Sequence, residues 1–292
     1  MICEDYVTTS TAEEALATLA SLRGEGRLIA GGTDLMLQLQ RKERTGVRCL
    51  VDITRIPGLD SIKLENSHII VGATVTFAQI ERSPIIHERA QVLAEAAAWV
   101  GSPQIRNVGT LAGNVVNAQP AADGSIALHA LNAEAEIANL TGRQWVPISS
   151  LFVSPGVSRV DAAAEMITAF RFRAQGHREG SAFERLARRK ALALPMINVG
   201  VYVLLDADGT HLREARIAIG PVAPVPFRAV GAETMLKNQS ISDELITEAV
   251  EAVVRESKPR SSLLRASKEY RQELIRTLTR RALLKAIERA RG

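Results

Sequence analysis

The sequence predicts a chain of two domains, each mixing helices with strands, and three observations carry that reading. Its 292 residues are enough to bury two separate cores. Helix-like and strand-like stretches succeed one another from Thr11 onward. A polar, glycine-flanked stretch without periodicity, Gly176-His177-Arg178-Glu179-Gly180, divides them and reads as a linker.

Thr11 with Glu14 makes a capping-box pattern and opens a helix whose apolar face is Ala15, Leu16, Leu19 and Leu22. Residues 27–30 read as a short buried strand, Gly31 and Gly32 as a turn, and Leu35, Met36 and Leu39 as the start of a helix running to about Glu43. A strand over 49–53 completes a small mixed unit that ends near Arg55. From about Gly58 the apolar positions Ile62, Leu64, Ile69 and Val71 are strand-like, and a helix follows over 86–99. After a long polar loop, Asp123 stands where it can cap a helix running to Leu131. Strands over 133–138 and 143–148 are joined by the turn signal Asn139-Leu140-Thr141-Gly142. Beyond the linker, apolar strands over 197–205 and 211–219 flank Asp206-Ala207-Asp208-Gly209, whose Asp-Gly pair is a hairpin signal. Two amphipathic helices close the chain, one capped by Ser242 or Asp243 and the other by Ser267.

Two loops carry the chemistry. Leu28-Ile29-Ala30-Gly31-Gly32-Thr33-Asp34-Leu35 sets adjacent glycines between a strand and a helix, where backbone N–H groups can approach a ligand and the helix end favours an anion. The same segment also reads as a tight turn with Thr33 or Asp34 as its cap. Neither G-x-x-x-x-G-K-[ST] nor G-x-G-x-x-G fits, so Asp52 reads as a strand-end acid, not as a ribose ligand. The second loop, 104–123, is rich in Asn, Gln, Thr and Gly, shows little periodicity and ends at Asp123. Two separated small-residue loops suit an extended polar ligand contacted at more than one place.

The pair AGGTDL and QIRNVGTLAGNVVNAQPAAD resembles the FAD-binding subunit of the molybdenum hydroxylases, the family of xanthine dehydrogenase, carbon monoxide dehydrogenase and aldehyde oxidoreductases. The resemblance continues in Pro259-Arg260-Ser261-Ser262 and in Arg265-Ala266-Ser267-Lys268-Glu269-Tyr270-Arg271, similar to the C-terminal domain of the bacterial flavin subunits. It covers nearly the whole chain, and its three motifs fall in the right order and spacing. It implies an α+β fold: an FAD-binding domain over 1–175 with subdomains of about 1–56 and 57–175, then an α+β domain over 181–292 with an antiparallel sheet and helices.

The resemblance also implies the cofactor contacts. Leu28, Ile29, Ala30, Gly31, Gly32, Thr33, Asp34 and Leu35 would wrap the pyrophosphate, and Thr110, Leu111, Ala112, Gly113 and Asn114 would form a second backbone cradle. Asp123 would hydrogen-bond polar groups of FAD, with Val100 and Ile167 where apolar side chains pack against it. Two departures stand out. Ala112-Gly113-Asn114 replaces a common glycine-glycine-asparagine, and Phe183-Glu184-Arg185 stands where relatives often carry an aromatic-x-lysine, so Arg185 keeps the charge without the ammonium geometry.

Composition narrows the function. Cys3 and Cys49 are too few for an iron–sulfur cluster, and the histidines at 68, 87, 129, 177 and 211 lack metal-ligand spacing and read as surface or helix residues. Residues 1–180 carry 16 basic against 19 acidic side chains, and 181–292 carry 20 against 13. The basic excess lies largely around the apolar stripe Leu274, Ile275, Leu278, Ala282, Leu283, Ala286 and Ile287, with Tyr270 as the only nearby aromatic. That pattern describes a solvated or docking helix face, not a platform for nucleic acid. With no apolar run of membrane-spanning length and no signal-peptide pattern, a cytoplasmic protein is expected.

The resemblance therefore implies a flavin subunit that depends on an iron–sulfur subunit and a molybdopterin subunit, passing electrons through FAD to NAD or another acceptor. A self-contained FAD-dependent reductase or oxidase on the same fold is the alternative, and a nucleotide- or nucleic-acid-binding module the non-enzymatic one.

Overall fold

The computed structural model describes residues 3–189, 192–261 and 266–292, so Ser262 and Arg265 of the C-terminal motifs lie outside the described residues. The chain divides into two compact units. One comprises Met1–Ile80, Pro103–Ala118 and Ala133–Arg173; the other comprises Glu81–Ser102, Gln119–Asn132 and Ala174–Gly292.

The first unit holds two sheets. Asp5–Thr8, Cys49–Asp52 and Gly26–Ile29 form a parallel three-stranded sheet with Cys49–Asp52 in the centre. Its fully buried central strand, Cys-Leu-Val-Asp, is apolar up to its last residue, as a strand covered on both faces must be. The capping box opens the helix Ala12–Ser21: Thr11 Oγ1 accepts from the Glu14 N–H at 3.1 Å, while the Glu14 carboxylate reaches back one residue further than the pattern predicts, to the Ser10 N–H at 2.7 Å. That helix buries Ala12, Ala15, Leu16 and Leu19 against Cys49, Val51 and Ile53. The second sheet is antiparallel, in the order Ile62–Glu65, His68–Gly72, Met166–Arg173, Glu134–Asn139, Gly142–Pro147.

In the second unit Glu179–Ala187, Pro195–Leu205, His211–Gly220 and Phe227–Arg228 form an antiparallel sheet. The residues read as the end of the linker thus open its first strand, because Glu179 and Gly180 pair with Leu204 and Val203. Helices Asp243–Glu256 and Lys268–Arg291 bury Val250, Val253, Ile275, Leu278, Leu283 and Ile287 in one core with Val199, Val201 and Ile217 of the sheet. Ser242 and Ser267 cap them, accepting from the Leu245 and Tyr270 N–H groups. Gly180 admits the last helix to the strand backbone: a Cβ there would overlap the Ala286 carbonyl and lie 2.7 Å from the Ala290 nitrogen.

Several element boundaries differ from expectation. The helix expected over 86–99 is two, Pro84–Arg89 and Gln91–Ala98, broken at Ala90, whose φ of −161° and ψ of 52° are not helical. The helix expected to reach Glu43 stops at Gln40, since Arg41, Lys42, Glu43 and Arg44 offer no apolar face to bury. The expected loop 104–123 contains two short helices, Pro103–Arg106 and Leu111–Val116, of only four and six residues, too short to show periodicity. Asp5–Thr8, Met166–Arg173 and Glu179–Ala187 are strands beyond those expected. Among the described residues no helix is long and apolar enough to cross a membrane.

Candidate functional site

In the first unit, the chain leaves the strand Gly26–Ile29, turns at Gly31 and Gly32 and enters the helix Leu35–Gln40. Gly32 adopts φ +64°, a backbone conformation open to glycine at little cost. Gly31 has a different task. A Cβ on it would overlap the Val108 carbonyl oxygen and lie 3.0 Å from the Gly109 Cα, so the first glycine is where the two loops touch. Asp34 is the N-cap residue but makes no side-chain cap bond, and Thr33 Oγ1 lies 3.4 Å from its carboxylate. Leu28 and Ala30 line the adjoining core from partly buried positions.

The second loop is pinned beside this turn. Thr110 bridges Thr76, the Phe77 N–H donates to the Gly109 carbonyl at 3.0 Å, and the Leu111 N–H donates to the Val75 carbonyl at 3.1 Å. Thr110 caps the helix Leu111–Val116, its Oγ1 accepting from the Gly113 N–H at 3.1 Å. Residues 110–114 are therefore a capped helical turn in which Thr110, Leu111 and Ala112 are buried, Asn114 is half-buried and Gly113 is exposed. Neither Ala112 nor Gly113 takes a positive φ, so alanine for glycine at 112 introduces no backbone strain. Ile167, 4% exposed, sits in the strand Met166–Arg173 beside a register shift between Ile167 and Ala169. Asp52 ends its strand as a turn acid, accepting from Tyr6 Oη and the Thr54 N–H at 2.8 Å each.

In the second unit a buried polar cluster forms around Asp123. The expected cap role passes to Ala122, which makes no side-chain bond, and Asp123 becomes the first residue of the helix Asp123–Ala130. Its carboxylate turns to the sheet: Oδ1 lies 3.2 Å from Arg185 Nε and accepts from Asn198 Nδ2 at 2.7 Å. The side chains of Arg185 and Asp123 are only 3% and 7% exposed. Arg185 packs over the Trp99 ring, 5.3 Å from its centroid, and donates through Nη2 to the Ala193 carbonyl. Burial pushes the Asp123 carboxyl up to about 6, with Arg185 and Asn198 pulling it down only in part. Val100 follows Trp99, half-buried, its N–H bonded to the Ala97 carbonyl at 3.1 Å.

Glu184 lies next to Arg185 on the strand but faces the last helix, its carboxylate 3.5 Å from Lys285 Nζ. Lys285 and Arg289 also grip Glu95, at 2.9 and 2.6 Å, and the Phe183 N–H donates to Glu95 at 2.8 Å. Burial alone would raise the Glu95 carboxyl, but these donors outweigh it and hold it below its usual range. Sequence reasoning overlooked Asn198 and Trp99. Asn198 had a signal, being the one polar amide in the otherwise apolar strand Pro195–Leu205, and an interior polar group of that kind needs a partner.

Among the described residues one group has metal-ligand spacing, Asp206, Asp208 and His211 in the exposed hairpin. Its carboxylates already accept from Thr210 and from the His211 N–H, as turn residues do. His129, by contrast, is buried on the helix Asp123–Ala130, and burial pushes its imidazole down to about 4.

Comparison with known proteins defines the class. Residues 2–172 match the family described as the FAD binding domain in molybdopterin dehydrogenase, and residues 181–286 match the CO dehydrogenase flavoprotein C-terminal domain. The chain belongs to this family of molybdenum hydroxylase flavoproteins, whose cofactor is FAD. It is 34% identical to the 6-hydroxypseudooxynicotine dehydrogenase complex subunit alpha of Paenarthrobacter nicotinovorans, covering 98% of this chain and 95% of that one. It is 33% identical to a putative xanthine dehydrogenase FAD-binding subunit of Escherichia coli, covering 98% and 97%. A carbon monoxide dehydrogenase structure from Hydrogenophaga pseudoflava aligns with a TM-score of 0.91 at 28% identity over 98% of both chains.

The residues present fit such a cofactor. Arg185 Nε and Nη1 are both buried without a hydrogen-bond partner among the described residues. A buried, unpaired guanidinium N–H is costly unless an acceptor meets it.

Proposed function

We propose that this chain is the electron-transfer subunit of a molybdenum hydroxylase, working with an iron–sulfur subunit and a molybdopterin subunit and delivering electrons to NAD or another acceptor. In this reading the FAD-binding domain spans 1–175 and the C-terminal domain 181–292. When bound, FAD supplies the chemistry of accepting electrons one at a time and releasing them as a pair.

The chain's own residues bind and tune. Residues 28–35 offer main-chain N–H groups beside a turn without side chains, and Thr110 to Asn114 offer a second, capped turn. Arg185 brings a fixed positive charge, locked in place by Trp99, Ala193 and Asp123, to favour negative charge on a reduced ring. Asp123, Glu184, Val100 and Ile167 complete the proposed contact set. The single observation that carries this reading is the buried Asp123–Arg185 pair with two guanidinium nitrogens, Nε and Nη1, left without a hydrogen-bond acceptor among the described residues, in a chain of this family.

The experiment is the composition of the purified assembly. Flavin should be released in full by acid precipitation, because residues 28–35 and 104–123 contain no His, Cys or Tyr for covalent attachment. Iron and molybdenum should co-purify when the neighbouring chains are co-expressed. A protein that binds flavin, carries neither metal with any partner and still turns over substrate is a self-contained flavoenzyme instead.

A further inference from the structure

Asp123 is addressed by two residues that stand directly opposite each other on neighbouring strands, Arg185 and Asn198. Residues paired in this way share one face of the sheet. The row continues to Gly220, the partner of Asn198 on the next strand, where a Cβ would overlap the Pro120 carbonyl and lie 3.0 Å from Asn198 Oδ1. The missing side chain at 220 lets Pro120 lie against the sheet, and Ala121 and Asp123 then come within reach of Asn198.

The orientation of the Asn198 amide follows from its neighbours. Its nitrogen donates to the Ala121 carbonyl at 3.1 Å and to Asp123 Oδ1 at 2.7 Å, two groups that only accept, so the oxygen cannot occupy that side. The side chain is wholly buried, and its Oδ1 has no hydrogen-bond partner among the described residues. The strand thus keeps an amide whose cost is offset on its nitrogen side only, by Ala121 and Asp123.

We propose that Asn198 is a positioning residue of the flavin site: its amide fixes the Asp123 carboxylate in ion-pair contact with Arg185 Nε, and with Nη2 held by the Ala193 carbonyl the guanidinium is turned so that Nη1 is offered to the cofactor. The proposal rests on the functional reading given above. Arg185 supplies the charge, and Asn198 sets where the counter-ion that orients it stands. Without the amide, Asp123 loses its Asn198 donor and, among the described residues, is left with the charge of Arg185 to hold it. The carboxyl is then driven toward its protonated form, and the guanidinium loses the partner that orients it.

The test uses the full chain, FAD itself as the probe, and Asn198→Leu with Asp123→Asn as reference. Infrared difference titration of the cofactor-free protein follows the Asp123 carboxyl, identified by the band that Asp123→Asn removes. Flavin fluorescence quenching gives the FAD dissociation constant, and redox titration gives the flavin midpoint potential against pH. Asn198→Leu should raise the Asp123 titration midpoint, weaken FAD about tenfold, and alter the pH dependence of the potential. In the Asp123→Asn background it should have no further effect on affinity or potential.

An Asn198→Leu protein that melts earlier but keeps the wild-type titration, affinity and potential overturns the proposal, as does a full effect persisting in Asp123→Asn. Where the leucine variant does not fold, the isosteric Asn198→Asp serves. It sets two carboxyls against each other to share one proton, so FAD binding should weaken as pH rises, and wild-type affinity from acid to neutral pH refutes the role. A wild-type chain that fails to bind FAD sinks the functional reading alone, because the carboxyl titration still decides the part played by Asn198.

Discussion

Arg185 and Asn198 face each other across two strands and reach the same oxygen, Asp123 Oδ1, one as a cation and the other as a neutral donor. The carboxylate is therefore held by a charge and a hydrogen bond from a rigid sheet, in surroundings that exclude water. A buried pair of this kind is sensitive to loss of either member.

Removing the cation should cost most. Arg185→Leu leaves an uncompensated buried carboxyl and is expected to destabilise the protein by about 3–5 kcal/mol. Arg185→Lys keeps the charge but loses the fork that spans Asp123 and Ala193, and should fall between. Urea unfolding of the three proteins at pH 7 checks the order.

The pH dependence has a definite sign. The Asp123 carboxyl is raised to about 6 in the folded chain from an ordinary 3.8, so the stability it contributes is complete below the unfolded value and is lost as pH rises through about 6. His129 works the other way, because its imidazole is lowered to about 4 from 6.5, and its contribution is lost as pH falls across that window. Glu95 is also lowered, from an ordinary 4.5, so its contribution disappears only in more acid solution. Comparing wild type with Asp123→Asn cancels the last two: the wild type should gain stability relative to the variant between pH 7.5 and 4.5. Urea midpoints of both proteins across that range measure it, and a relative loss would reverse the assignment.

The two adjacent glycines should respond differently. Gly31→Ala forces a methyl into the Val108 backbone and should separate the turn from the second loop. Gly32→Val puts a β-branched residue at φ +64°, a conformation that costs L-residues about 1–2 kcal/mol even without branching. Both variants should keep most of their far-ultraviolet circular dichroism and bind FAD at least about tenfold more weakly, the equivalent of about 1.4 kcal/mol of lost contact. Wild-type affinity in Gly32→Val would make residues 28–35 a structural turn only.

The isolated chain should be an incomplete enzyme. With two cysteines it has too few thiolates for a cluster, so its electrons are expected to pass through flavin. Slow NADH-dependent dye reduction is expected, with no turnover of purines, aldehydes or carbon monoxide. Sustained oxidation of any such substrate by the single polypeptide plus FAD counts against the subunit reading.

What the sequence showed and what it hid have physical causes. The Thr11 cap, the Asp206–Gly209 hairpin and the stripe from Leu274 to Ile287 were legible because capping, turn chemistry and helical spacing are local signals. The split at Ala90 was hidden, since Pro84–Arg89 and Gln91–Ala98 are both apolar on one side and alanine is no breaker. The first strand, Asp5–Thr8, is exposed along its length and so shows no apolar alternation. Asp123 was visible as an acid at the start of a helix, but its turn toward Arg185 depends on residues far along the chain. Asn198 could be noticed as an amide among aliphatic residues, yet only the sheet register shows what it serves.

The seat of the last helix on Gly180 governs the order in which the second unit can be built. The strand that begins at Glu179 meets its covering helix more than a hundred residues later, at Ala286 and Ala290. During synthesis Val199, Val201 and Ile217 must therefore wait, uncovered, for roughly 3–17 s at ordinary elongation rates. Contacts of such long separation also close slowly, because the loop entropy is lost before the apolar surface is buried. The half-made chain thus exposes a sticky sheet of its own, so holding chaperones and a timely supply of the C-terminal segment should limit its yield more than any weakness of the finished fold.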